Sequence, residues 1–163
     1  MEADTNRTWL TKEEAETFVG KNDFFYLGKW RKYSESTFKG WNWAAFFFGI
    51  SWMAYRRMYT EALLYYLFIA FAGVLIVVTF GAIGIRVNGD LLRSILQLFV
   101  VIFGNAIYRK KALRVLRKTI HLSETDRLSV LEAKGGTSVA GVICCILLQI
   151  AFAFLLVFIA LLI

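Results

Sequence analysis

The sequence predicts an all-α membrane protein: three transmembrane helices, a short aromatic re-entrant or interfacial helix, and amphipathic cytoplasmic helices. Three observations carry that prediction. Of 163 residues, 58% are hydrophobic and 17% aromatic, and the mean hydropathy is +0.58, more apolar than soluble domains of this size. The apolar residues are bunched into long runs rather than spread at the periodicity of a globular core. Proline is absent, which favours continuous helices over proline-broken ones.

Residues 1–40 read as N-terminal cytoplasmic or interfacial helices, and residues 41–163 as the membrane domain. Thr11 and Glu14 have the spacing of a capping box, in which hydroxyl and carboxylate each satisfy an orphan amide. A short helix follows and ends near Gly20, and Asn22 or Asp23 starts a second. Phe24, Phe25, Tyr26, Trp30 and Tyr33 stand beside Lys29, Arg31 and Lys32, a composition that settles at lipid headgroups. A helical hairpin that packs on itself is the alternative.

Trp41 to Tyr55 spans roughly 22 Å as a helix, short of the roughly 30 Å hydrocarbon core. It therefore reads as re-entrant or as lying flat at the interface. Trp41, Trp43 and Trp52 fit that place, where an indole N–H stays wet. Residues 62–85 carry no charge and suffice for a span; 91–107 form a second, joined to the first by the Asn88–Gly89 turn. Residues 108–137 form a basic cytoplasmic segment. In it Leu113, Leu116 and Ile120 fall at helical spacing among Arg109, Lys110, Lys111, Arg114, Arg117 and Lys118. That pattern predicts a face lying on an anionic leaflet, with those six cations at lipid headgroups. Ser123 and Asp126 cap one more short helix, which ends at Gly135–Gly136. Residues 138–163 are a third uncharged span.

Counting cations sets the topology. If Trp41 to Tyr55 does not cross, seventeen of the 19 Lys and Arg residues share one side, leaving Arg86 and Arg93 for the other. If it crosses, the bias vanishes. The positive-inside rule selects the first arrangement, with the N-terminus cytoplasmic.

Within the spans, Gln97 and Gln149 both lie near mid-membrane. Each amide needs a partner there, and the other offers both a donor and an acceptor. Bonding to the glutamine's own backbone, or to a second copy, would serve as well. Gly73 and Gly81 mark either a close-approach face or ordinary glycine usage in membrane helices. Glu61, four residues from Arg57, predicts a surface ion pair.

No constellation specifies a reaction. The chain lacks a glycine-rich phosphate loop, paired metal ligands and a nucleophile–base pair. His121 reads as a surface residue, and the adjacent Cys144 and Cys145 point different ways on a helix, against a disulfide. Asn6–Arg7–Thr8 is a formal glycosylation sequon on the predicted cytoplasmic side, and the N-terminus lacks the pattern of a cleavable signal. The expectation is therefore a non-enzymatic protein without cofactor or nucleic acid. Its predicted partners are anionic membrane lipids, and a second copy or a partner subunit. A small oligomeric transporter, channel or lipid-handling protein is the competing class.

WNWAAFFFG from Trp41, WMAYRRMY from Trp52, GNAIYRK from Gly104, GGTS before the last span and the lead-in FVGKNDFFYLGKW from Phe18 resemble DUF2628, a family of small bacterial membrane proteins. The resemblance implies a multi-pass helical protein of the inner membrane and supplies no activity. Members often carry a proline where this chain has Ile50–Ser51, so a sharp bend is not carried over. Asn42, Gly49 and Arg56 recur every seven residues, and Asn105 and Tyr108 end the second span at the same boundary. This predicts docking of the aromatic helix on Gly104–Arg109 through Asn42, Arg56 or Arg57, with Trp41, Trp43 and Tyr59 in the same interface. Simple lipid anchoring by Trp and Arg is the alternative.

Overall fold

The computed structural model describes residues 10–32 and 40–162; the sequon at Asn6 and Tyr33 lie outside them. The regular elements of the described residues are all helices. They are α1 (Lys12–Val19), α2 (Asp23–Lys32), α3 (Trp43–Phe48), α4 (Ile50–Tyr55), α5 (Tyr59–Ala82), α6 (Gly89–Thr119), α7 (Glu124–Lys134) and α8 (Val139–Leu162).

Local chemistry sets their ends. The Thr11 hydroxyl accepts from the Glu14 amide at 3.2 Å, and the Glu14 carboxylate accepts from the Thr11 amide at 2.8 Å, completing the capping box. Gly20, at φ +60°, closes α1. The Asn88 side chain accepts from the Asp90 and Leu91 amides to open α6, and Ser123 accepts from Asp126 to open α7.

Three helices are long and apolar enough to cross a membrane, supplied by α5, α6 and α8. At 31 residues, α6 reaches roughly 46 Å, well beyond a hydrocarbon core. Its surplus builds a compact head with α1, α2 and α7. Leu113, Leu116 and Ile120 are buried there, with α2 and α7 packed on α6. Neighbouring helices, rather than a leaflet, cover the apolar stripe of the basic segment. The N-terminal aromatics are corrected in the same way. Tyr26 and Trp30 are buried in the head, and Phe24 stays 91% exposed.

The aromatic stretch is two helices, not one. Gly49 adopts φ +50°, a conformation that costs other residues strain, and its amide ends α3 on the Ala45 carbonyl at 2.8 Å. A sharp break thus forms without proline. Outside the head, the outward faces of the long helices are bare: Phe71 on α5 and Phe154 on α8 are each at least 70% exposed. A Cβ on Gly73 or Gly81 would meet nothing within 4 Å, so neither marks a close approach within this chain.

Candidate functional site

The site is built around one side of α6, along which α3 runs out; α4 runs back packed on α8 and α5 and reaches α6 through Trp52. Asn42 opens α3. Its side-chain oxygen accepts from the Ala45 amide at 3.0 Å, capping the helix. Its side-chain nitrogen donates to the Asn105 side chain at 2.9 Å, and its backbone N–H donates to the Val101 carbonyl at 3.0 Å. Asn105 in turn donates to the Gly40 carbonyl at 3.1 Å. Both asparagines are buried, and their amides match donor to acceptor around the pair.

Two turns further out, Gln97 donates to the Phe46 carbonyl. The break at Gly49 leaves the last carbonyls of α3 without helical partners, and the glutamine amide satisfies one of them. Gln149 instead bonds its own helix, at the Cys145 carbonyl, 3.2 Å away. The proposed bond between the two glutamines is therefore not formed, because each finds a closer backbone acceptor.

On the way back, Trp52 of α4 lies on Gly104. A Cβ at Gly104 would approach the indole to 2.9 Å, so glycine is what lets the ring lie this close to α6. The Trp52 N–H donates to the Tyr26 hydroxyl at 3.2 Å. Trp52 is thus a core residue rather than an interfacial anchor, while Trp41 and Trp43 stay 41% and 61% exposed. Those two contact Phe46, and Trp43 stacks on Phe47, in an outward aromatic patch.

At the end of α4 the cations turn inward. Arg56 is 1% exposed and donates to the carbonyls of Val19 and Lys21, each at 3.0 Å. Its guanidinium lies over the Tyr26 ring at 4.4 Å and 5.5 Å from the Tyr108 ring centre. The negative end of α1 and two aromatic faces replace a carboxylate partner. Tyr108 also contacts Phe18, Trp30 and Trp52, making it the hub of the aromatic core. Arg57, at φ +55°, donates to the Ala133 carbonyl at 2.7 Å, and Glu61 pairs with Arg114 at 2.7 Å. The expected Glu61–Arg57 pair is replaced because Arg57 caps α7.

Lys111 is a second correction. Its ammonium donates to the carbonyls of Arg57 at 2.9 Å, Lys134 at 3.0 Å and Arg56 at 3.3 Å. Lys111 lies beyond the apolar run of α6, and burial pulls it down to about 8, with nearby Arg57, Lys134 and Arg114 adding to the effect and Glu61 opposing it. It ties the ends of α4 and α7 rather than pointing freely at lipid. Lys110, Arg114, Arg117 and Lys118 are exposed and Arg109 is half-buried. Tyr59 sits against α8, where a Cβ at Gly141 would meet its hydroxyl at 2.8 Å. The start of α8 joins the same cluster: the Ser138 amide donates to the Tyr55 carbonyl at 2.8 Å.

Sequence reading placed Tyr26, Trp30 and Trp52 at the membrane interface, where the structure buries all three. Tyr26 and Trp30 are four apart, on one helical face, a signal for packing that their basic neighbours obscured.

The family model described as protein of unknown function (DUF2628) matches residues 10–114. The chain belongs to that family. No curated protein and no solved structure matches the chain. The DUF2628 segment runs from α1 into the head portion of α6 and contains Asn42, Arg56, Asn105, Tyr108 and Lys111. The carbonyls of α7 that Arg57 and Lys111 cap, and Gly141 beneath Tyr59, lie beyond it.

Proposed function

We propose that this DUF2628 protein is a non-enzymatic, multi-pass protein of the bacterial inner membrane with its N-terminus in the cytoplasm. It acts by helix packing, with itself or with a partner subunit, at the anionic inner leaflet. On this reading α3 and α4 form a re-entrant wedge. The wedge follows α6 from Asn105 to Gln97, a depth of about 12 Å, and returns. The observation that carries the reading is the fastening of both ends of this wedge to α6, by Asn42–Asn105 and by the Lys111 bonds to Arg56 and Arg57. That arrangement gathers Lys12, Lys21, Lys29 and the cations of residues 109–134 at one end of the long helices, in agreement with the positive-inside rule. It also leaves the apolar faces of α5 and α8 available for packing. Affinity purification from native membranes, followed by native mass spectrometry, tests it. The expected result is a homo-oligomer or a co-purifying membrane subunit; a bare monomer contradicts it.

A second reading, an oligomeric transporter, channel or lipid-handling protein, is favoured by a cavity of about 460 Å³ beneath the wedge tip. Arg93, Gln97, Gln149, Tyr65 and Tyr66 line it. Three helices of one copy leave it open sideways, so a polar path needs several copies. Flux into vesicles that Gln97→Leu and Gln149→Leu abolish would favour this reading.

A further inference from the structure

A polar cleft and an apolar groove meet at Tyr59. The cleft, about 260 Å³, lies between the start of α5, the head portion of α6 and the end of α7. Arg57, Lys111, Arg114, Lys118 and Lys134 line it together with Glu61. Glu61 is the one carboxylate in this lining, and Arg114 engages it. Four cations therefore line the space with no further acid in the lining to balance them: Arg57 and Lys111 are held on backbone carbonyls, and Lys118 and Lys134 are exposed. The groove, about 380 Å³, runs away from the head between α4, α5 and α8. Its walls include Ile50, Ala54, Leu63, Cys144, Leu148 and Phe152. Tyr59 borders both spaces, and Gly141 gives its ring room against α8.

The geometry points to a built site for one anionic phospholipid, its phosphate in the cleft and an acyl chain along the groove. The inference rests on the membrane reading above and names the lipid contact within it. Charge complementarity decides the occupant. A basic pocket between membrane helices on a cytoplasmic side suits an anionic headgroup, and the adjoining groove has the size and apolar lining of a ligand pocket. A peptide would need backbone partners that the groove walls do not offer, and a zwitterionic lipid would leave the cation excess unbalanced. Burial draws Lys111 down to about 8, Glu61 opposing and Arg57, Lys134 and Arg114 adding to the fall; a bound phosphate would favour its charged form.

The test is native mass spectrometry of the full chain released from detergent with dioleoyl phosphatidylglycerol or dioleoyl phosphatidylcholine. The wild type is expected to retain one phosphatidylglycerol and to lose phosphatidylcholine. Lys118→Gln with Lys134→Gln removes two exposed cleft cations and is expected to weaken retention on the order of thirtyfold, about fivefold for each cation. Lys110→Gln with Arg117→Gln, outside the cleft lining, should leave retention unchanged. Cys144→Trp, which fills the groove, should weaken phosphatidylglycerol retention while sparing binding of glycerol phosphate. Equal retention of phosphatidylcholine overturns the inference, as does equal loss in both lysine and arginine pairs. Glycerol phosphate binding as tightly as the intact lipid would reassign the cleft to a free phosphate ester and also overturns it. The same spectra report copy number and bound subunits. Lost lipid with an intact assembly counts against this site alone, whereas a lipid-bound monomer counts against the packing reading alone.

Discussion

The side chains of Asn42 and Asn105 hydrogen-bond at 2.9 Å across 63 residues of sequence, and both are withdrawn from solvent. Through them the cap of a short helix becomes the latch that holds it on a long one. The same asparagine oxygen that starts α3 leaves its nitrogen free to grip α6.

Asn105→Ala strands the Asn42 nitrogen and the Gly40 carbonyl. Leaving buried groups unpaired costs about 1–3 kcal/mol, so the unfolding temperature in detergent should fall. Unchanged stability, extraction and assembly would count heavily against docking of the aromatic hairpin.

Gly104→Ala places a methyl where the Trp52 ring now lies, at 2.9 Å. Overpacking of this kind costs about 1–3 kcal/mol. Adding Trp52→Phe, which removes the contacting ring atoms, should recover part of that loss. Equal thermal midpoints for wild type and Gly104→Ala would mean that the indole does not rest on α6.

Arg56→Gln removes two charge-assisted bonds to the end of α1. At about 1.5–3 kcal/mol each, the loss should detach α1 from α4. Trypsin cleavage after Lys21, which is exposed, should accelerate. Arg56→Lys should not restore protection, because an ammonium lacks the planar fork that reaches two carbonyls.

These features divide into what neighbouring residues reveal and what distant ones decide. The Thr11–Glu14 box and the Ser123 cap are legible because their partners lie within three residues; Asn88 reads as a turn residue, and it also caps α6. The three apolar runs are legible because length alone signals them. The break at Gly49 is not, since a glycine in an apolar run looks ordinary until its positive φ is seen. Lys111 reads as a headgroup contact and Arg56 as a docking contact to Gly104–Arg109, because the carbonyl partners that hold them lie 23 to 55 residues away. The stripe Leu113, Leu116 and Ile120 announces an apolar face without saying whether lipid or protein covers it. Gln97 and Gln149 each advertise a need for a partner, and the sequence cannot reveal that α3 ends beside the first.

Lys111 gives the chain a predicted pH response. Its folded value of about 8 lies below the ordinary 10.5, so between these limits the unfolded chain binds a proton that the folded chain has released. Unfolding free energy should therefore rise with pH across that window and lose this slope below it. Chemical denaturation of wild type and Lys111→Met from pH 7 to 10.5 isolates the effect. Phosphatidylglycerol in the neighbouring cleft should flatten the wild-type slope by favouring the charged form; a slope of opposite sign would contradict this electrostatic account.

The central claim is that the aromatic hairpin turns back, so that both charged segments lie on one side of the membrane. Cysteine accessibility in intact cells tests it most directly, with Lys21→Cys, Lys110→Cys and Asn88→Cys each placed in a chain carrying Cys144→Ala and Cys145→Ser. The account predicts that positions 21 and 110 are shielded together from an impermeant reagent outside, while position 88 is labelled. Labelling of positions 21 and 110 from opposite faces would contradict it.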